Sequence, residues 1–145
     1  MKFWGGIFPK VALISSIYAI LAFYLNERLE VGLFAFPTLG LVMIALGLAL
    51  WFLCYLQVSK AYSEGKLFTK GGCYSKIRHP IYSIWGFLIV PGFSLLFGGF
   101  MLLLPLVYWA GVLGFIGEEE KALEERFGDE WREYSERAPR FIPRP

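Results

Sequence analysis

Four long apolar runs, broken by short polar or glycine-rich stretches, fill most of this 145-residue chain. In hydrocarbon every backbone polar group must be paired within the protein, so such runs resolve as helices. A span needs roughly 20 apolar residues. The first run extends from about Gly5 to Leu25, with Lys10 near one end, where its stem can snorkel to the interface. The polar run Asn26-Glu27-Arg28-Leu29-Glu30 predicts a short turn. The second run, from about Phe34 to Val58, is long enough to cross with tilt. The third is Pro80 to Phe97, with a kink expected at Pro91, and the fourth is Phe100 to Ile116, containing Pro105. Gly98-Gly99 makes these last two a helical hairpin, each member short for a full crossing. The fold class is therefore an all-α integral membrane protein with about four transmembrane helices and an amphipathic C-terminal helix. At 57 % hydrophobic residues the chain is too apolar for a soluble domain of this size.

Charge sets the expected orientation. Residues 1–116 carry eight Lys and Arg against three Asp and Glu, and residues 117–145 carry six against nine. Lys60, Lys66, Lys70, Lys76 and Arg78 crowd the loop from Ser59 to Arg78, opposed only by Glu64. Four spans put that loop on the same side as both termini, and basic loops favour the cytosol. Because the basic residues flank spans, they speak for membrane orientation and not for nucleic acid. Lys2 precedes an apolar stretch, but no small-residue cleavage site follows and a second span comes soon after, so a retained helix is expected. Cys54 lies in an apolar run and Cys73 in the basic loop. They suggest neither a disulfide framework nor a metal site, and Cys73 is expected to be a reduced cytosolic thiol.

The pentad Arg78-His79-Pro80-Ile81-Tyr82 stands where the basic loop meets the third span. Ionisable residues at a membrane edge are expensive and need a reason. Pro80 suits the first helical position, where its missing N–H would be unpaired anyway. It holds Arg78 and the chain's single histidine at the helix mouth, with Tyr82 about one turn in. The plain alternative is a headgroup anchor with Tyr82 in the aromatic belt.

Beyond the fourth span, Gly117 to about Tyr134 reads as a helix, with Leu123, Phe127, Trp131 and Tyr134 as its apolar stripe. At 100° per residue, Glu119 and Glu120 flank the stripe, and Glu118 falls nearly opposite. Glu118 should be solvated, whereas carboxylates beside a buried stripe need partners. Arg126 shares the bearing of Glu119. No nucleophilic triad, phosphate-cradling loop or zinc spacing is present, and one histidine with an acidic trio is weak as a metal site. The residues suit a charged small molecule held at the membrane surface.

Gly72-Cys73-Tyr74-Ser75-Lys76-Ile77-Arg78-His79-Pro80-Ile81-Tyr82 resembles the G-x-Y-x-x-x-R-H-P-x-Y motif of the isoprenylcysteine carboxyl methyltransferase family and its phospholipid and thiol methyltransferase relatives. Glu119-Glu120-Lys121-Ala122-Leu123, then Phe127-Gly128, Trp131, Tyr134, Arg137, Pro139-Arg140 and Ile142-Pro143, is similar to that family's ending. The resemblance covers residues 65–143. Residues 1–58 carry no matching motif, and the whole chain reads as one domain. Cys73 stands where a proline is usual, Trp131 replaces a tyrosine, and the glycine expected soon after Tyr82 comes only at Gly86.

The resemblance implies S-adenosylmethionine as methyl donor. His79, Pro80, Tyr82, Glu119, Glu120 and the backbone around Gly72 and Tyr74 would line its site. Arg137, with Arg78 or Arg126, would hold an anionic acceptor, such as a prenylated cysteine carboxylate, whose lipid part enters between spans. Two other readings fit the residues. Sterol reductases share a related membrane fold and an R-H-P-x-Y-like motif but use NADPH. They usually carry an asparagine where this chain has Ile81, and they are longer. A non-enzymatic scaffold would use the cluster only to anchor headgroups.

Overall fold

The computed structural model describes residues 7–31, 35–63, 73 and 77–142. The described residues form helices α1 (Phe8–Leu29), α2 (Pro37–Ser63), α3 (Pro80–Ile84), a π-helical turn (Trp85–Ile89), α4 (Val90–Phe97), a 3₁₀ turn (Gly99–Leu103), α5 (Leu104–Phe127) and α6 (Asp129–Arg137). Four stretches are long and apolar enough to cross a membrane: Phe8–Leu29, Pro37–Gln57, Pro80–Phe97 and Gly99–Phe127. The protein is thus an all-α membrane protein with four candidate spans. α2 packs on the π turn and α4, α4 on α5, and α5 on α1. Leu, Ile and Phe side chains of α1 and α2 stay exposed, as lipid-facing residues do.

Small residues let the spans approach closely. A Cβ at Gly40 would fall 2.4 Å from the Gly92 carbonyl oxygen, and one at Gly47 would fall 2.5 Å from Ile89 Cγ1. The interruption expected at Pro91 lies just before it. Pro91 has no N–H to return to the preceding turn, and the π turn, with Val90 N–H reaching Trp85 O, absorbs the misfit. Trp109 Nε1 donates to the Gly86 carbonyl at 3.0 Å, supplying a donor from the neighbouring helix.

Three sequence expectations are corrected. Asn26 belongs to α1 and not to a turn, because its buried side chain has work at the far end of the bundle. Its Nδ2 donates to Gly98 O at 3.0 Å and its Oδ1 accepts from Phe100 N at 2.9 Å, clipping α1 to the hairpin turn. Gly98 and Gly99 have φ of 66° and 56°, and a side chain at Gly99 would collide with Val31 O and Asn26 Oδ1. The C-terminal helix is not one piece. α5 runs unbroken from the span to Phe127, and Gly128, at φ 58°, turns the chain into α6. Finally, Cys73 is not a free thiol. It is disulfide-bonded to Cys54, with Cα atoms 5.7 Å apart. Cys54 is buried against Ile81, Trp51, Ile84 and Trp85, and Cys73 joins that cluster.

Lys10, half exposed near the start of α1, pairs with the exposed Glu118 at 2.7 Å and lies over the Phe115 ring. The start of α1, the pentad and the end of α5 therefore share one end of the bundle, opposite the Asn26 clip.

Candidate functional site

Pro80 opens α3 with His79 as N-cap. Helix starts carry N–H groups without intrahelical partners, and here the tail supplies carbonyls at the approach to the helix. Arg78 N donates to Pro139 O at 2.8 Å and His79 N to Arg140 O at 3.0 Å. Ser83 Oγ donates to Phe141 O at 2.7 Å, and the Tyr134 hydroxyl donates to Ile77 O at 2.9 Å. Leu123, Trp131, Tyr134 and Ala138, with Phe127 against them, form a small core of their own. The stripe read from the sequence thus folds the tail back onto the pentad.

Glu120 gathers the cations. Its Oε1 lies 3.1 Å from His79 Nε2, 2.9 Å from Arg140 Nε and 3.3 Å from Arg78 Nη1. Its Oε2 accepts from Arg140 Nη2 at 3.0 Å. The Arg140 pair is bidentate, the strongest form of such contact. The Glu120 side chain is only 12 % exposed, so it joins α5, the pentad and the tail in a largely desolvated knot.

Glu119 sits beside it and is differently placed. The Tyr82 side chain neighbours its carboxylate, and its Oε2 is buried with no hydrogen-bond partner among the described residues. Such an oxygen carries a desolvation cost that a donor from a bound group would remove. The Tyr108 hydroxyl donates to Tyr82 O at 2.9 Å, fixing that residue. Rings enclose the histidine: Phe141 at 5.8 Å, Tyr82 at 6.0 Å and Trp131 at 6.4 Å between centroids. Arg78 also stands over Trp131, at 6.0 Å. Carboxylates, cations and aromatic faces together suit a ligand carrying both an anionic and a cationic group.

His79, Pro80, Tyr82, Glu119, Glu120 and Arg78 are therefore brought together. Glu118 points away, exposed and paired with Lys10, as its helical bearing predicts. Arg126 is exposed over Phe127 at 5.2 Å. Arg137 is exposed over the Tyr134 ring at 5.6 Å, beside the cluster's supporting core. Gly72 and Tyr74 lie outside the described residues. Among the described residues no group of three or more His, Cys, Asp or Glu could hold a metal ion. Sequence reasoning does not single out Arg140, Phe141 or Ser83. The Pro139-Arg140 pair of the ending motif is the available signal for the first, and nothing in the sequence marks the other two. No protein-family model matches the chain, and no curated protein matches it.

Proposed function

We infer that this protein is an integral membrane methyltransferase that uses S-adenosylmethionine and acts on a hydrophobic acceptor, a lipid-linked carboxylate such as that of an isoprenylcysteine. The observation that carries the reading is the meeting, at one end of the bundle, of Arg78-His79-Pro80-x-Tyr82 with Glu119-Glu120 and the Pro139-Arg140 tail. Those are the segments through which the sequence resembles the methyltransferase family.

The donor set fits the cofactor. The unpartnered Glu119 Oε2 suits an ammonium or ribose hydroxyl, and Tyr82 and Trp131 offer faces to a sulfonium. When bound, the cofactor supplies a methyl group already activated on sulfur. The protein then has to align the two reactants and keep water out. His79 and Tyr82 are only 5 % and 8 % exposed, so little water reaches them. An ionised carboxylate needs no protein base, and no residue of the cluster is asked to move a proton.

Glu120 already has both oxygens on this chain's own cations, so we assign it a positioning role and give the cofactor contact to Glu119. Arg78 is likewise engaged with Glu120, and we give the acceptor's carboxylate to Arg137, which is exposed beside the cluster's supporting core. In this reading the site end faces the cytosol, on the bias of Lys and Arg. The Cys54–Cys73 disulfide at the same end pulls the other way, since disulfides persist in oxidising compartments.

The test is methyl transfer. Purified protein in lipid nanodiscs is incubated with methyl-labelled adenosylmethionine and prenylcysteine, phospholipid and thiol acceptors, and products are read by mass spectrometry. Label on a prenylcysteine ester supports the reading. Label on phospholipid or thiol alone would replace the acceptor, and no label on any of them would count against the activity.

A further inference from the structure

A covalent cross-link stands beside the pentad. It joins Cys54 of α2 to Cys73, and it closes a loop over a sequence separation of 19. Cys54 is 1 % exposed and packs with Ile81, the pentad residue between Pro80 and Tyr82. Trp51, Ile84, Trp85 and Cys73 pack against the same pair. The bond therefore fastens the chain just ahead of the pentad to α2, and the pentad rests on it. Cys73 N also donates to Gln57 Oε1 at 3.1 Å. With the bond open, that hydrogen bond and packing alone would hold residue 73 on α2, and the loop would regain part of the freedom that closure removes.

Two observations mark this bond as one that opens and closes. It lies near the surface. Cys54 is about one helical turn from the end of its candidate span at Gln57, on the order of 5 Å along the axis, and Cys73 is partly exposed. It also lies at the basic end of the bundle. Lys60, Lys66 and Lys70 fall between the two cysteines in sequence, and Lys76 and Arg78 follow them. Basic loops favour the cytosol, where thiols are kept reduced and the disulfides that do form are usually transient or redox-sensing.

We propose that the Cys54–Cys73 bond is a redox switch on the pentad: closed, it clamps residue 73 and Ile81 to α2, and opened by a cytosolic dithiol it loosens Arg78-His79-Pro80-Ile81-Tyr82. In the opening step a thiolate of the dithiol bonds to the Cys73 sulfur, the Cys54–Cys73 bond breaks, and the Cys54 sulfur leaves with the electron pair. The dithiol's second thiolate then displaces the Cys73 sulfur and closes the dithiol's own disulfide. The two cysteines end as thiols, having gained the two electrons and two protons that the dithiol gives up. An oxidised dithiol runs the exchange in reverse. The switch rests on the cytosolic orientation of the site end and not on methyl transfer.

The chain has a single histidine, so one imidazole signal reports on the pentad. Carbon–proton correlation spectra of the protein in lipid nanodiscs are recorded as the ratio of dithiothreitol to its oxidised form is varied, and free thiols are counted in the same samples by maleimide mass shift. The His79 signal should move from one position to a second as the count rises from none to both cysteines, and should return on reoxidation, which shows that the fold is kept. Cys54→Ser should hold the second position at every ratio. In acid-quenched cells the thiol count should fall when diamide is added and recover when it is washed out. Adenosylmethionine affinity should differ between the two states at least about fivefold, the lower end of couplings between sites. An unmoved His79 signal with both thiols free, or equal affinities in the two states, would make the bond a plain structural staple and overturn the proposal. A bond found closed in cells throughout would put this end in an oxidising compartment and overturn it too. No adenosylmethionine binding in either state would count against the methyltransferase reading alone, because the His79 signal scores the switch by itself.

Discussion

Gly86 is the position where one added methyl group should do the most damage. An ideal Cβ there would fall 2.1 Å from Trp109 Cζ2 and 2.3 Å from Cε2, well inside contact distance. The indole cannot retreat without losing its hydrogen bond to Gly86 O and its edge-on contact with Phe141 at 4.9 Å. Overpacking of this kind costs about 1–3 kcal/mol. A lost hydrogen bond adds roughly 0.5–1.5 kcal/mol, and replacing glycine in a helix returns about 0.5–1 kcal/mol. Gly86→Ala should therefore destabilise by about 0.5–4 kcal/mol. Gly117→Ala, where nothing lies within 4 Å of the new atom, should be neutral or slightly stabilising. The assay is reversible unfolding in mixed micelles, run as a cycle with Trp109→Phe, whose smaller ring removes the clash. In that background the cost of Gly86→Ala should drop below about 0.5 kcal/mol, as expected when two residues couple by contact. Equal losses in both backgrounds, or none in the first, would refute the close packing of Trp109 on the π turn.

Three other outcomes are expected. Glu118→Gln should leave adenosylmethionine affinity within about twofold, as for an exposed pair, whereas Glu119→Gln should weaken it about 10- to 150-fold, from the 1.5–3 kcal/mol of a charged hydrogen bond; equal effects in calorimetry would refute the orientation of α5. Glu120→Ala removes the carboxylate that Arg78, His79 and Arg140 share and should cost on the order of 1.5–3 kcal/mol; Arg140→Ala should cost less and chiefly release the tail to limited proteolysis, and a stable Glu120→Ala with a protected tail would show the knot to be dispensable. Denatured, unreduced protein should take up no maleimide and reduced protein should take up two, one for each cysteine; labelling before reduction would contradict the disulfide.

The spans are legible in the sequence because hydrocarbon leaves the backbone few choices, so length and apolarity alone locate the first three within a few residues, whereas the fourth does not stop at Ile116 as expected but continues to Phe127. The bearing of Glu118 against Glu119 is legible for the same kind of reason: a regular helix fixes relative directions, and α5 is regular through the trio. What the sequence hides depends on partners distant along the chain. Asn26 looks like a turn residue until Gly98 and Phe100 are seen to need its amide. The break at Gly128 is hidden because the apolar stripe continues across it in α6. Cys54 and Cys73 stand 19 residues apart with no spacing that announces a bond. Arg140 is visible as part of a motif, yet its role arises only when the tail folds back along Arg78 and His79.

The most direct test of the proposed function is calorimetric titration of the folded protein with S-adenosylmethionine and, separately, with NADPH. Saturable binding of adenosylmethionine, lost in Glu119→Gln and kept in Glu118→Gln, with no binding of NADPH, is the expected result. Binding of NADPH alone would contradict it in favour of a reductase, and binding of neither would leave the charged cluster as a headgroup anchor.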